Sequence, residues 1–187
     1  NPVIGCELYV APGSRKLNEG EILSIDCGAE KNGYFGDSAV TYAVGEISEE
    51  KKNLMKVTDE ALFKGLEKAL HRGKIYDISR AIQEHVEKNG YSVTRELCGH
   101  GIGKSLHEAP SVPNFVPPML HRQSFPNVKL YKGMALAIEP MVHAGKKEIK
   151  VQDDGWTIIT ADGSPAAHFE HTVIIDNDKP RILTLRN

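Results

Sequence analysis

Acidic side chains interrupt apolar, strand-like runs at widely separated points of this 187-residue chain. Asp26 sits inside Ile22-Leu23-Ser24-Ile25-Asp26-Cys27-Gly28. Glu139 closes Met134-Ala135-Leu136-Ala137-Ile138, and Glu170 lies within residues 167–175. Unpaired charges are almost never buried, because water solvates them far better than a protein interior does. A fold that buries these strands must bring the acids to a place where something answers their charge.

The first acid belongs to a hairpin. Residues 22–28 read as a strand, Lys31-Asn32-Gly33 as a turn and 34–43 as the returning strand, which carries Asp37. A turn centred on Asn32-Gly33 sets Asp37 opposite Gly28; one centred on Lys31-Asn32 sets it opposite Asp26. Side chains alternate along a strand, so either register leaves both carboxylates on one face. Like charges across a ladder repel. A divalent cation between them reverses the sign.

The later strands repeat the pattern. Ala135 and Ala137 share the face of Glu139 and leave room beside it. Ala166, His168, Glu170 and Thr172 line one face of their strand, and Ala167, Phe169, His171 and Val173 the other. Between the two halves lies Cys98-Gly99-His100-Gly101-Ile102-Gly103, followed by His107-Glu108. Three glycines around one histidine predict a tight backbone that presents His100 to a site. The spacing is not that of a dinucleotide cradle. Four carboxylates and an imidazole suit a pair of hard or borderline divalent ions. Paired cations acidify a water and polarise a carbonyl, so the chemistry predicted is metal-assisted hydrolysis.

The remainder supplies a scaffold. After Ser48, a plausible N-cap with Glu49 and Glu50 behind it, apolar residues fall at Leu54, Val57, Ala61, Leu62 and Leu66. Gly65 within this helix costs about 1 kcal/mol relative to Ala. A second helix is predicted over 77–89, with Ile78, Ala81, Ile82 and Val86 as its buried stripe and Gly90 as its stop. Strands are predicted at 134–142, 148–152, 156–160, 167–175 and 181–185. The proline-rich stretch 110–126 reads as a long surface loop. Helices and strands do not alternate, which favours α+β in a single domain.

Several classes are excluded. No apolar run approaches the ~20 residues a membrane helix needs. A net charge of −2 gives no footprint for nucleic acid. No signal peptide is visible at the N-terminus. Cys6, Cys27 and Cys98 contain no C-x-x-C pair, so neither a disulfide scaffold nor a zinc ribbon is expected. Each reads as a small buried hydrophobe in a reducing cytoplasm.

Five ordered motifs then carry a resemblance: Gly20-Glu21-Ile22-Leu23-Ser24-Ile25-Asp26-Cys27-Gly28; Gly36-Asp37; Cys98-Gly99-His100-Gly101-Ile102-Gly103 with Leu106-His107-Glu108; Ile138-Glu139-Pro140-Met141; and Phe169-Glu170-His171-Thr172. From about Pro12 to Asp176 the chain resembles the type I methionine aminopeptidases of the pita-bread metallopeptidase superfamily. The resemblance implies a pita-bread fold, a largely antiparallel curved sheet with helices on its outer face. It implies one metallopeptidase catalytic domain over residues 1–187, shorter than usual before Asp26. It implies two divalent ions, with manganese, cobalt and iron(II) favoured and zinc compatible. The substrate implied is the N-terminal methionine of nascent chains, and a cytoplasmic monomer is expected.

Residue by residue, the resemblance makes Asp26 a chelating ligand of one metal, Asp37 and Glu170 bridging ligands, and His100 and Glu139 ligands of the other. It makes His107 the contact to the scissile carbonyl and Glu139 a proton shuttle. Trp156 and Leu106 become walls of the substrate pocket. The chain departs from the family at Tyr9-Val10-Ala11-Pro12, where relatives read His-Gly-Ile-Pro, so Tyr9 stands where a catalytic histidine is expected. Two alternatives follow: an Xaa-Pro peptidase of the same superfamily, or a pita-bread binding module without catalysis. Glu139-Pro140-Met141, in place of the Glu-Pro-Gly usual in prolidase-like members, argues against the first; a full set of ligands argues against the second.

Overall fold

The structure, a computed structural model, describes residues 16–185 together with the backbone of two short strands, Pro2–Ile4 and Glu7–Tyr9. Cys6, Pro12 and the side chain of Tyr9 lie outside the described residues.

The hairpin forms with a single register. Asp26 pairs with Ala39 in Ile22–Asp26 against Ala39–Ala43, and Lys31 pairs with Tyr34 at the tip. Both count to a turn centred on Asn32-Gly33, whose φ angles are +54° and +77°. Two left-handed residues match the right-handed twist of the flanking strands, as a two-residue hairpin requires. Asp37 is thereby level with Gly28. The ladder is interrupted there, and the Cys27 N–H donates to the Ser38 carbonyl at 3.0 Å.

Helix α1, Glu49–Leu66, begins at Ser48, whose side chain accepts from the Lys51 N–H. Helix α2, Ile75–Lys88, begins two residues before the predicted start. Asp77 is its third residue, and its carboxylate accepts the Lys74 N–H at 2.8 Å, closing the first turn. Gly90, at φ +81°, ends it as expected. Gly65 has a packing reason: a Cβ there would stand 2.9 Å from Ile82, so the glycine lets α1 and α2 approach. Leu54, Leu62, Ile78 and Ile82 are all but inaccessible, and each such burial contributes about 1.5–3 kcal/mol.

The long strand predicted over 134–142 is two strands, Ala135–Ile138 and Met141–His143. The one over 167–175 is likewise Ala166–His168 and His171–Ile174. Ala135–Ile138 is the centre of a five-stranded antiparallel sheet, between His171–Ile174 and Cys98–Gly101. Met141–His143 is the centre of a three-stranded sheet, between Ala166–His168 and Ser92–Val93. The neighbouring chains thus leave one sheet for the next side by side, at Glu139-Pro140 and at Phe169-Glu170. Pro140 has no N–H to offer a ladder, which makes it a natural break. Predicted strands at 148–152, 156–160 and 181–185 are present in shortened form as Ile149–Val151, Ile158–Thr160 and Arg181–Ile182.

The proline-rich stretch departs from expectation. Its first part is the strand Glu108–Pro113, paired with Cys98–Gly101 at the edge of the five-stranded sheet. An edge strand tolerates proline because one row of its N–H groups needs no partner. Within the glycine-rich segment, Cys98–Gly101 is accordingly a strand. A Cβ on Gly99 would collide with the Ala137 carbonyl, and one on Gly101 with the Ala109 carbonyl. The rest of the stretch and the residues just after it strap the start of α2, with the Tyr76 hydroxyl donating to the Phe125 carbonyl and the Ile75 N–H to the Val128 carbonyl. The cysteine expectation also needs correcting: Cys27 is exposed and Cys98 half-buried.

The helices cover one side of the sheets. Leu136, Ile138, Val142, Ala167 and Val173 join the helical core. Ala137, which pairs with both His100 and Thr172, faces the other way.

Candidate metal centre

That second face carries the chemistry. Ala137 has His100 across one ladder and Thr172 across the other. Glu139 lies two residues beyond Ala137, and Glu170 two residues before Thr172. Small Ala137 leaves the space that the acids and His100 enclose. The hairpin brings the remaining two carboxylates to the same space. Thr172 fastens it there: its hydroxyl accepts from the Asp37 N–H and donates to the Asp37 carbonyl, both at 2.8 Å. The Glu170 N–H donates to the Ala39 carbonyl at 2.9 Å.

Asp26, Asp37, His100, Glu139 and Glu170 consequently line one cavity of about 410 Å³, with Leu106, His107 and Trp156 around them. Phe35 and Gly28 complete its wall. Asp37, His100 and Glu170 each point a ligand atom to within 4.8 Å of the others, and all three are buried. His100 offers its Nε2 to the cavity because its Nδ1 is committed to the Gly101 carbonyl at 2.8 Å. That Nε2 is 3.6 Å from Glu139 Oε1.

Electrostatically the cluster is incomplete without a cation. Burial holds the Glu170 carboxyl well above the usual carboxylate range, and the charges of Glu139, Asp37 and Asp26 push it further. Burial raises Asp26 too, with Asp37 adding to the rise and His168 opposing it. Glu170 Oε1 is inaccessible and has no hydrogen-bond partner among the described residues. A buried acceptor left in that state costs on the order of 1–3 kcal/mol. Oxygen donors with one imidazole are the ligand set that hard and borderline divalent ions take. The residues fit such ions.

His107 stands at the open side, its ring centroid 4.2 Å from that of His100. Trp156 is 55% exposed at the rim. It is held by a tight turn in which the Asp154 carboxylate accepts the N–H groups of Trp156 and Thr157 at 2.9 and 2.8 Å. A second recess of about 370 Å³ shares His107, Glu139 and Trp156 with the first. Leu97, Cys98 and Ile158 give it an apolar floor.

Two further residues at the site escaped sequence reasoning. Asn114, fully buried, donates from Nδ2 to the Glu139 carbonyl at 3.0 Å. Nothing in the proline-rich stretch marks it in advance. His168, 2% exposed, places Nε2 3.4 Å from Glu139 Oε2. Its signal was present, since it alternates with Glu170 on one strand face.

A buried, cation-seeking set of carboxylates beside an apolar recess is the site of a metal-dependent hydrolase. The model of metallopeptidase family M24 matches residues 5–177, and the chain belongs to that family. It is 51% identical over 174 residues to the methionine aminopeptidase of Clostridium perfringens, covering 93% of this chain and 68% of that one. Among solved structures, methionine aminopeptidase from Thermotoga maritima superposes with a TM-score of 0.91 at 42% identity, covering 99% of this chain and 73% of the other. The Xaa-Pro dipeptidase from Bacillus anthracis shares the fold alone, at 21% identity and a TM-score of 0.78, with 100% of this chain and 46% of that one covered. The fold is thus the pita-bread fold expected, and this chain spans about two thirds of its Clostridium relative's length. Among the described residues, no helix is long and apolar enough to cross a membrane.

Proposed function

We propose that this chain is a methionine aminopeptidase that uses two divalent cations to hydrolyse N-terminal methionine from nascent polypeptides in the cytoplasm, as a monomer. The observation that carries the reading is the convergence of Asp26, Asp37, His100, Glu139 and Glu170 on one cavity that opens beside an apolar recess. Asp26 would hold one ion, Asp37 and Glu170 would serve both, and His100 and Glu139 would hold the other. Manganese, cobalt, iron(II) and zinc all suit such mixed oxygen–nitrogen donors, with the first three favoured over zinc by the carboxylate excess. When bound, the ions supply Lewis acidity, which makes a water nucleophilic near neutral pH and polarises the scissile carbonyl.

The chain's own residues do the rest. Leu97, Cys98, Trp156 and Ile158 line the recess and would surround an unbranched thioether side chain there, with Leu106 walling the adjoining cavity. His107, level with His100, donates to the carbonyl oxygen as it gains charge. Glu139 takes a proton on the nucleophile's side and returns it to the leaving amine.

A peptide panel tests the assignment. Met-Ala-starting peptides should be cleaved and Ala-Pro-starting ones left intact. Cleavage of the Ala-Pro peptide alone would make the chain an Xaa-Pro peptidase. Binding of metal and peptide without any cleavage would make it a binding module, with Tyr9 as the first residue to exchange for histidine.

A further inference from the structure

His168 belongs to none of the roles above, yet it is the most deeply enclosed imidazole at the site, with 2% of its surface accessible. It ends the strand Ala166–His168, two residues before Glu170, and directs Nε2 at Glu139. The two oxygens of Glu139 therefore face different histidines: Oε1 faces His100 at 3.6 Å and Oε2 faces His168 at 3.4 Å.

The root of His168 is immobilised. Its N–H donates to the Thr41 hydroxyl and its carbonyl accepts from the same hydroxyl, both at 2.9 Å. Thr41 is in turn 2.6 Å from the Ser24 hydroxyl across the hairpin. At the other end, Asn114 fixes the backbone of Glu139. A Glu side chain anchored only at its backbone still turns its carboxylate plane, because its terminal torsion is broad. An enclosed imidazole 3.4 Å from one oxygen narrows that freedom and favours the arrangement in which the opposite oxygen faces the cavity. Partners outside the ligand shell orient ligands in this way and tune their donor strength.

We propose that His168 is a positioning residue: it sets the orientation of the Glu139 carboxylate, so that one oxygen is presented to the metal beside His100. The inference rests on the two-metal reading and adds to it a residue that touches neither metal nor substrate.

Co(II) titration of the full chain tests it, followed by calorimetry and by the visible absorption of the bound ion, beside thermal unfolding and Met-Ala peptide kinetics. In His168→Leu, Co(II) affinity at one of two sites should fall about 10–100-fold. The absorption spectrum should change, and kcat should fall while KM stays near the wild-type value. His168→Gln, whose amide nitrogen reaches about as far as Nε2, should restore most of the affinity and spectrum. His168→Asn, too short to reach, should behave like His168→Leu. A folded His168→Leu chain with two wild-type sites and an unchanged spectrum would overturn the proposal. Should His168→Leu not fold, the Gln and Asn variants decide: a difference between them supports positioning, and identical Co(II) binding refutes it. A wild-type chain that binds no Co(II) would remove the two-metal reading and this inference together. Two wild-type sites with insensitive variants would remove the inference alone.

Discussion

The two faces of the strand Ala135–Ile138 obey different rules. On one, Leu136 and Ile138 are sealed against the helices in a core of ordinary aliphatic residues. On the other, small Ala137 leads to Glu139, and around them lie three more carboxylates. The first face satisfies itself, since apolar burial needs nothing but close neighbours. The second does not, since Glu170 is buried, crowded by like charge, and has one oxygen without a hydrogen-bond partner among the described residues. The contrast teaches how a strained site persists: a few residues away on the same strand, packing supplies the stability that the acids withhold.

If that division is right, changes on each face should produce separable effects. The largest is expected at the bridging carboxylates. Asp37→Ala or Glu170→Ala should reduce Met-peptide hydrolysis to background and lose at least one metal equivalent, with the fold retained in circular dichroism. Retention of both metals would break the comparison.

Next comes His107→Ala, which should keep both metals while kcat falls by on the order of 10²–10³-fold. Full activity would remove the role assigned to His107. On the helical face, Leu62→Ala should cost about 2–5 kcal/mol in denaturant unfolding. Metal bound per folded chain should stay the same. A change in stoichiometry would mean that the faces are not independent.

The smallest effect concerns pH. Burial raises the Glu170 carboxyl above its ordinary value of 4.5. In the metal-free chain its contribution to stability is therefore present below 4.5 and lost as pH rises through the raised value. His143 works in the opposite direction. Burial lowers its pKa from 6.5, so it weakens the fold as pH falls below that value. The difference between wild type and Glu170→Gln isolates the first group. Metal-free Glu170→Gln should gain stability over wild type as pH rises from 4.5 toward neutrality, and saturating metal should abolish the gain. A flat difference across that range would show that Glu170 carries no such penalty.

Much of this was legible in the residues. Alternation places Asp26 and Asp37 on one face in either register, and the turn at Asn32-Gly33 is one of the two the residues allow. Helical periodicity found α1 and α2 because their cores are local in sequence. What alternation could not see was where a strand changes sheets. Residues 134–142 read as one run, yet Pro140 divides it, and the division sets Glu139 at the seam. Prolines at 110 and 113 suggested a loop because sequence does not reveal that Glu108–Pro113 occupies a sheet edge. His168 and Asn114 went unassigned because their meaning lies in Glu139, which is distant in sequence and adjacent only after folding.

The most direct test of the central claim is metal content per chain, measured by elemental analysis on the active protein and again after stepwise chelation. Two divalent ions per active chain are expected, with hydrolysis disappearing as they are withdrawn and returning on their addition. Undiminished hydrolysis by a chain stripped of metal would contradict the account.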